Sequence, residues 1–179
     1  MKNSVAKYGG FYIGRYETGN LSQATAVVQK NNSDIGSQTW YTQYKLNKTI
    51  KANNNVVSSM IWGCQWDATM RWMQTSSNPE VVNYVTNSTG KGNYAGTQGS
   101  RNQKIATGSK TAYAVNNIYD MAGNVWDWTL EASATTYRVY RGGYYRRDGS
   151  TDPASIRDIN DPARSSDYYG SRVTLYVAL

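Results

Sequence analysis

The sequence predicts one domain of interleaved helices and short strands, and three observations carry that prediction. A chain of 179 residues is the size of a single core and buries about two thirds of the surface its unfolded form exposes. The run Met60 to Met73 (MIWGCQWDATMRWM) places apolar residues at helical spacing, whereas the chain end, Val173 to Leu179, alternates as a half-buried strand does. Between such elements lie long stretches of Asn, Ser, Thr and Gly with no apolar period, the mark of extended surface loops. The domain is taken to span residues 1–179.

In chain order, Gly10 to Glu17 (GFYIGRYE) reads as a strand, with Phe11 and Ile13 alternating between glycines. Trp40 to Ile50 brings Trp40, Tyr44 and Asn47 onto one side of a modest amphipathic helix, and Lys51 to Asn55 breaks it. The helix at Met60 to Met73 carries two stripes, one of Trp62, Trp66, Met70 and Met73, the other of Ile61, Cys64, Ala68 and Trp72, so it is expected to be central and buried. Asn78-Pro79-Glu80 has the form of an N-cap followed by proline at the first helical position, opening a short helix to Val85. Residues 86–110 form a long polar loop ordered by docking on the rest. Tyr137 to Gly143 (YRVYRGG) is a short strand ending in a glycine pair, and the closing strand follows after thirty residues without apolar periodicity.

Composition excludes several chemistries. The chain has no histidine, which removes imidazole bases, histidine-activated nucleophiles and nearly all catalytic zinc or non-haem iron sites. Its one cysteine, Cys64, lies among Trp62, Gly63 and Trp66 and is expected to be an inert core thiol. The net charge of +7 is diffuse: all nine lysines fall in the first 110 residues, and beyond Arg141 five arginines balance five aspartates. No basic cluster tracks a phosphate backbone, so nucleic acid is not an expected partner. Lys2 and Lys7 flank no apolar run of the secretory kind, and no stretch is apolar enough to enter a membrane. Aromatic content is skewed to 16 tyrosines and 6 tryptophans against 1 phenylalanine, supplying large apolar bodies with a polar handle.

The segment Asn117 to Thr129 (NIYDMAGNVWDWT) resembles the signature of the formylglycine-generating enzyme, or sulfatase-modifying factor, family. GGFYIGRYETG at the start is similar to that family's first strand, Gln65-Trp66-Asp67-Ala68 to its E-W-E-Y-A helix, Arg141-Gly142-Gly143 to its R-G-G turn, and Gly170-Ser171-Arg172 to its G-F-R. The resemblance implies an α+β, C-type-lectin-like fold in which short twisted strands and about two main helices support long loops. It also implies what is missing. The positions of the two copper-binding cysteines of the oxidising enzymes fall on Arg147 and Asp152, and the related iron enzymes use a histidine triad. Neither centre is present, so no catalytic residue and no required cofactor are expected. The resemblance does imply a structural calcium, held by Asp120, Gly123, Val125 and Asp127; hard oxygen donors at this spacing suit Ca²⁺. Taken on their residues alone, Asp120 and Asp127 equally suit turn capping, with Asn124 in a tight turn.

Gly142 to Arg172 (GGYYRRDGSTDPASIRDINDPARSSDYYGSR) contains no Lys, Gln, Glu, Met or Trp, five types that supply 31 of the first 141 residues. Tyrosine offers rigid amphipathic contact area, arginine planar multidentate donors, and Ser and Gly adaptability, which is the chemistry of an antibody paratope. Those five types are also the ones that randomising the adenines of AAY codons cannot encode. With its chain-end placement, the segment resembles the diversified region of the variable proteins of diversity-generating retroelements. Expected contact residues are Tyr144, Tyr145, Arg146, Arg147, Asp148, Asp152, Arg157, Asp158, Asn160, Arg164, Asp167, Tyr168 and Tyr169, while Arg141 and Arg172 are assigned to buried ion pairs or backbone bonds and Pro153 and Pro162 to loop shape. The functional expectation is a non-enzymatic receptor-recognition protein on a phage tail or bacterial surface, its partner a protein or glycan on a cell surface. A glycan-binding module and a divergent enzyme of the same superfamily are the alternatives.

Overall fold

The computed structural model describes residues 1–50, 53–75, 81, 83–97 and 102–178. Helix α1 (Lys2–Tyr8) leads into the two-residue strand β1 (Tyr12–Ile13), followed by α2 (Trp40–Asn47), β2 (Val56–Met60) and α3 (Gly63–Thr75). A hairpin of β3 (Ala114–Val115) and β4 (Ile118–Tyr119) precedes β5 (Trp126–Ala132), β6 (Arg138–Arg141), β7 (Arg157–Asn160), β8 (Tyr169–Ser171) and β9 (Val173–Val177). The last strand lies in the middle of an antiparallel sheet ordered β1-β9-β2, which ties both ends of the chain together. The second sheet runs β7-β6-β5-β8, with β8 parallel to β5 and the other pairs antiparallel. This mixture of helices and small sheets joined by long loops is the expected α+β architecture.

Two cores hold it together. One gathers Ile61, Trp66, Met70 and Met73 against Tyr84, Tyr94, Ile118 and Met121. The other is aromatic, built from Trp40, Trp126, Trp128, Tyr140 and Tyr169 with Met60, and Tyr144 and Tyr168 pack against it half-buried. Helix α2 forms as its aromatic spacing requires, opened by Thr39, whose hydroxyl accepts the Thr42 N–H at 3.2 Å.

Four sequence expectations are corrected. The strand expected over 10–17 is paired as a named strand only at Tyr12–Ile13, although the backbone continues beside the chain end through Gly14 N–H to Val173 C=O and Thr18 N–H to Ser171 C=O. Met60 closes a strand, β2, that carries no alternation legible in VVSSM, and the helix begins only after Trp62, whose N–H donates to Gln65 Oε1. Only one stripe of α3 is buried: Trp66, Met70 and Met73 face the core, whereas Trp62 and Trp72 are 39% and 52% exposed and Cys64 is exposed rather than a core thiol. A helix with a solvent-facing side needs one apolar stripe; of the second, Cys64 and Trp72 are surface here and Ala68 is half-buried, while Ile61, just before the helix, is buried. On β9, Val173 and Thr174 are both buried, because Thr174 donates to the buried Gln65 Oε1. The helix expected to open at Asn78-Pro79-Glu80 has its start outside the described residues.

The C-terminal segment is not a free loop. Its entry, Gly142-Gly143, takes φ of 90° and 78°, and a Cβ on Gly143 would stand 2.4 Å from Asp152 C=O. Only glycine fits both demands. The segment then returns through β7 and β8, with Pro153, Ala154 and Pro162 buried.

Candidate functional site

The thirteen expected contact residues separate into a buried base and an exposed rim. Tyr145 is only 1% exposed and Tyr169 is 3% exposed, so neither is a surface contact in this structure, contrary to expectation. The reason is register: Tyr169 pairs with Trp126 on β5 and its ring lies 4.8 Å from Trp128 and 5.3 Å from Tyr140. Tyr144 and Tyr168 are half-buried above them, with ring centroids 4.9 Å apart, and Tyr144 also leans on Trp126 at 5.9 Å. The segment's two distant ends, 144–148 and 164–169, are thereby brought side by side over one aromatic platform.

The tyrosine hydroxyls reach from this platform to the rim. Tyr145 donates to Asp167 Oδ2 at 2.9 Å, Tyr140 donates to Asp158 Oδ2 at 3.0 Å, and Asn160 Nδ2 donates to the Tyr169 hydroxyl at 2.6 Å. Burial, with the charge of Asp167 beside it, pushes the Tyr145 phenol up to about 12, so it stays a neutral donor. Around these bonds Arg146, Arg147, Asp148, Arg157, Asp158, Arg164 and Asp167 are exposed, and Asp152 and Asn160 half-buried. Arg146 lies over the Tyr145 ring at 5.2 Å, Arg157 pairs with Glu131, and Asp148 accepts the N–H and hydroxyl of Ser150, which holds its carboxyl below the usual range. Arg147 and Asp152, which stand at the expected copper-cysteine positions, do come together, as an ion pair at 3.5 Å. The result is a mixed-charge surface with fixed tyrosine rings beneath.

A second polar group lies inside the scaffold. Arg172, fully buried, donates through Nε to Asp127 Oδ2 at 3.3 Å and through its two terminal nitrogens to the carbonyls of Gly14 and Tyr119. Arg141 donates to Asp67 at 2.6 Å. Both arginines therefore take the structural roles expected of them. Glu17, also fully buried, accepts from Asn124 Nδ2 at 2.7 Å. Burial first, then the charges of Asp120 and Asp127, raise its carboxyl well above the usual range. Burial also raises Asp120, and it pushes Asp127 up to about 6 against the opposing pull of Arg172. Sequence reading passed over Glu17; its signal was an acid closing the aromatic-rich stretch GFYIGRYE.

Asp120 Oδ2 caps the turn at Thr107 and Gly108, accepting the Thr107 hydroxyl at 2.9 Å and the Gly108 N–H at 2.8 Å, the turn-capping role that its residue type suits. Asn124, with φ of 61°, sits in the tight turn expected of it. Asp127 caps no turn with the oxygen that Arg172 engages. Each of the two aspartates keeps one buried oxygen, Oδ1, without a hydrogen-bond partner, which is the donor type a hard cation takes. Among the described residues no three His, Cys, Asp or Glu side chains converge as a metal shell.

The sequence pattern of the sulfatase-modifying factor enzyme 1-like domain matches residues 65–176. No curated protein matches the chain. Among solved structures, variable protein 1 of Treponema denticola is similar over 96% of this chain and 79% of its own, with 15% identity and a TM-score of 0.53. The U1 variant of the major tropism determinant is similar over 96% of this chain with 12% identity and a TM-score of 0.64, and this chain spans about half (52%) of its length. PvdO from Pseudomonas aeruginosa is similar over 98% of this chain and 75% of its own, with 13% identity and a TM-score of 0.57. At these identities the likeness is one of fold, the C-type-lectin-like fold expected from the sequence.

Proposed function

This chain belongs to the sulfatase-modifying factor enzyme 1-like family, and we propose that within it the chain is a non-enzymatic ligand-binding protein that displays the rim of residues 144–169 to a partner on a cell surface. The observation that carries the reading is the division just described: a fixed aromatic base under seven exposed Arg and Asp side chains, most of which can change without disturbing a core. Fold neighbours called a variable protein and a tropism determinant support it, as does the absence of Lys, Gln, Glu, Met and Trp throughout 142–172. Against catalysis stands the chemistry of Arg147 and Asp152, which supply neither a thiolate nor a Cu(I) ligand. The setting proposed is a phage tail or bacterial surface, with diversification by a retroelement.

The test is a library. Randomising Arg146, Arg147, Asp148, Arg157, Asp158, Arg164 and Asp167 together, with Tyr145 and Tyr169 kept, is expected to give mostly folded variants from which binders to an arbitrary protein such as lysozyme can be selected. A library that is mostly unfolded would defeat the reading. Diversification itself is checked in the neighbouring DNA, where a near-copy of the segment with AAY codons at rim positions, beside a reverse transcriptase gene, is expected.

The calcium expectation is proposed on the orphan Oδ1 atoms of Asp120 and Asp127, with the carbonyls of Gly123 and Val125 completing the donors. Added Ca²⁺ then raises the melting temperature of the wild type and not of Asp127→Asn. No shift between EDTA and Ca²⁺ in the wild type would remove the ion.

A further inference from the structure

A cleft of 440 Å³ opens between α2, β2 and the paired strands β5 and β6, and none of its lining residues belongs to the segment 142–172. Its volume falls in the range of roughly 300–1,000 Å³ where small-ligand sites are found. The α2 side is an ordered column. Trp40 and Tyr44, one helical turn apart, stack with planes 5° apart and centroids separated by 5.2 Å. The Arg138 guanidinium sits 4.9 Å from the Trp40 ring centre, and the Lys48 ammonium 4.9 Å from that of Tyr44. The exposed ring of Trp62 also lines the cleft.

Three features point to an occupant. No carboxylate lines the cleft, and neither Lys48 nor Arg138 forms an ion pair with any carboxylate among the described residues, unlike Arg141, Arg147, Arg157 and Arg172. Two cations thus share one concave site without a counter-charge, and rings that hold their side chains in place keep them oriented. Ser58, another lining residue, is 3% exposed, and its hydroxyl oxygen is buried without a hydrogen-bond partner. A ligand satisfying all of this needs an anionic group for Arg138 and Lys48, an apolar face for the exposed Trp62 ring and a hydroxyl for Ser58. A simple inorganic anion lacks the face, and an aromatic acid lacks the hydroxyls.

We propose that this cleft binds a carboxylated sugar unit, a uronate or a sialate, independently of the C-terminal surface. Tryptophan fluorescence provides the test, since Trp40 and Trp62 both line the site. The whole chain is titrated with glucuronate and with N-acetylneuraminate, then with glucose, N-acetylglucosamine and benzoate. A saturable change with at least one acidic sugar is expected, with the neutral sugars and benzoate at least about ten-fold weaker, as loss of a charged hydrogen bond requires. Which acidic sugar responds identifies the source. Arg138→Gln is expected to weaken binding about ten-fold, Trp62→Ala to weaken it and shrink the signal, and Arg146→Ala to change neither. Melting curves establish that each variant folds, and Lys48→Gln, on an exposed side chain, replaces Arg138→Gln if that one does not. No saturable response to either acidic sugar, equal response to a neutral one or to benzoate, or an unchanged affinity in the folded charge variant overturns the proposal.

Discussion

The two cores answer different demands. The core under α3 is aliphatic and sulfur-rich around Trp66, whose indole N–H is spent on the buried carbonyl of Ala154 at 2.9 Å. The core under the C-terminal segment is a raft of rings, Trp126, Trp128, Tyr140 and Tyr169, from which tyrosine hydroxyls extend outward to Asp158 and Asn160. A tyrosine serves both sides of such a boundary: its ring fills the core and its hydroxyl anchors the surface. The lesson is that a changeable surface needs an unchanging floor close beneath it, and here that floor is laid mainly by β5 and β6, with Tyr169 added from the segment itself.

The contrast can be broken from its strongest point outward. Arg172→Ala removes the partner of buried Asp127 and leaves that charge alone, so denaturant unfolding is expected to show a loss of roughly 3–5 kcal/mol. Trp66→Ala, a cavity in the first core, is expected in the same range, about 3–5 kcal/mol. Next comes pH. Asp127 is pushed up to about 6 by burial, and Glu17 and Asp120 are raised as well. Their unfolded values lie near 4, at about 3.9 for Asp and 4.3 for Glu, so between roughly pH 4 and 6 the folded state holds protons that the unfolded state releases. Stability from this cluster is therefore fully present below the unfolded values and is lost as pH rises through the folded ones. In EDTA, the melting temperature should climb as pH falls from 7.5 to 5, with a gain in stability of about 1–1.5 kcal/mol from Asp127 alone, and Glu17→Gln should flatten the slope. Tyr145→Phe, which deletes only the bond to Asp167, is expected to cost about 0.5–1.5 kcal/mol. Smallest of all, Arg146→Ala and Arg164→Ala should stay within about 0.5 kcal/mol of wild type.

Much of this plan was legible in the sequence because it rests on paired or periodic features. Trp40 and Tyr44 announce α2, the R-G-G turn announces a backbone that only glycine adopts, and Arg141 and Arg172 sit where fixed ion pairs form. What the sequence concealed were contacts across long separations. Nothing near Tyr145 or Tyr169 distinguishes them from Tyr144 or Tyr168; the parallel pairing of β8 with β5 and the packing of the segment decide which rings go under. Cys64 and Trp72 looked buried because periodicity gives a helix's stripes but not which of them meets the core. The cleft of Trp40, Tyr44 and Arg138 joins residues nearly a hundred positions apart and leaves no local signature.

A saturation scan of residues 142–172, read as resistance of each variant to proteolysis of its unfolded form, puts the display account at greatest risk. Intolerance is predicted at Tyr145, Ala154, Tyr169, Gly170 and Arg172, and free substitution at Arg146, Arg147, Asp148 and Arg164. Equal sensitivity in both groups would mean that the rim is structural and that the segment presents nothing.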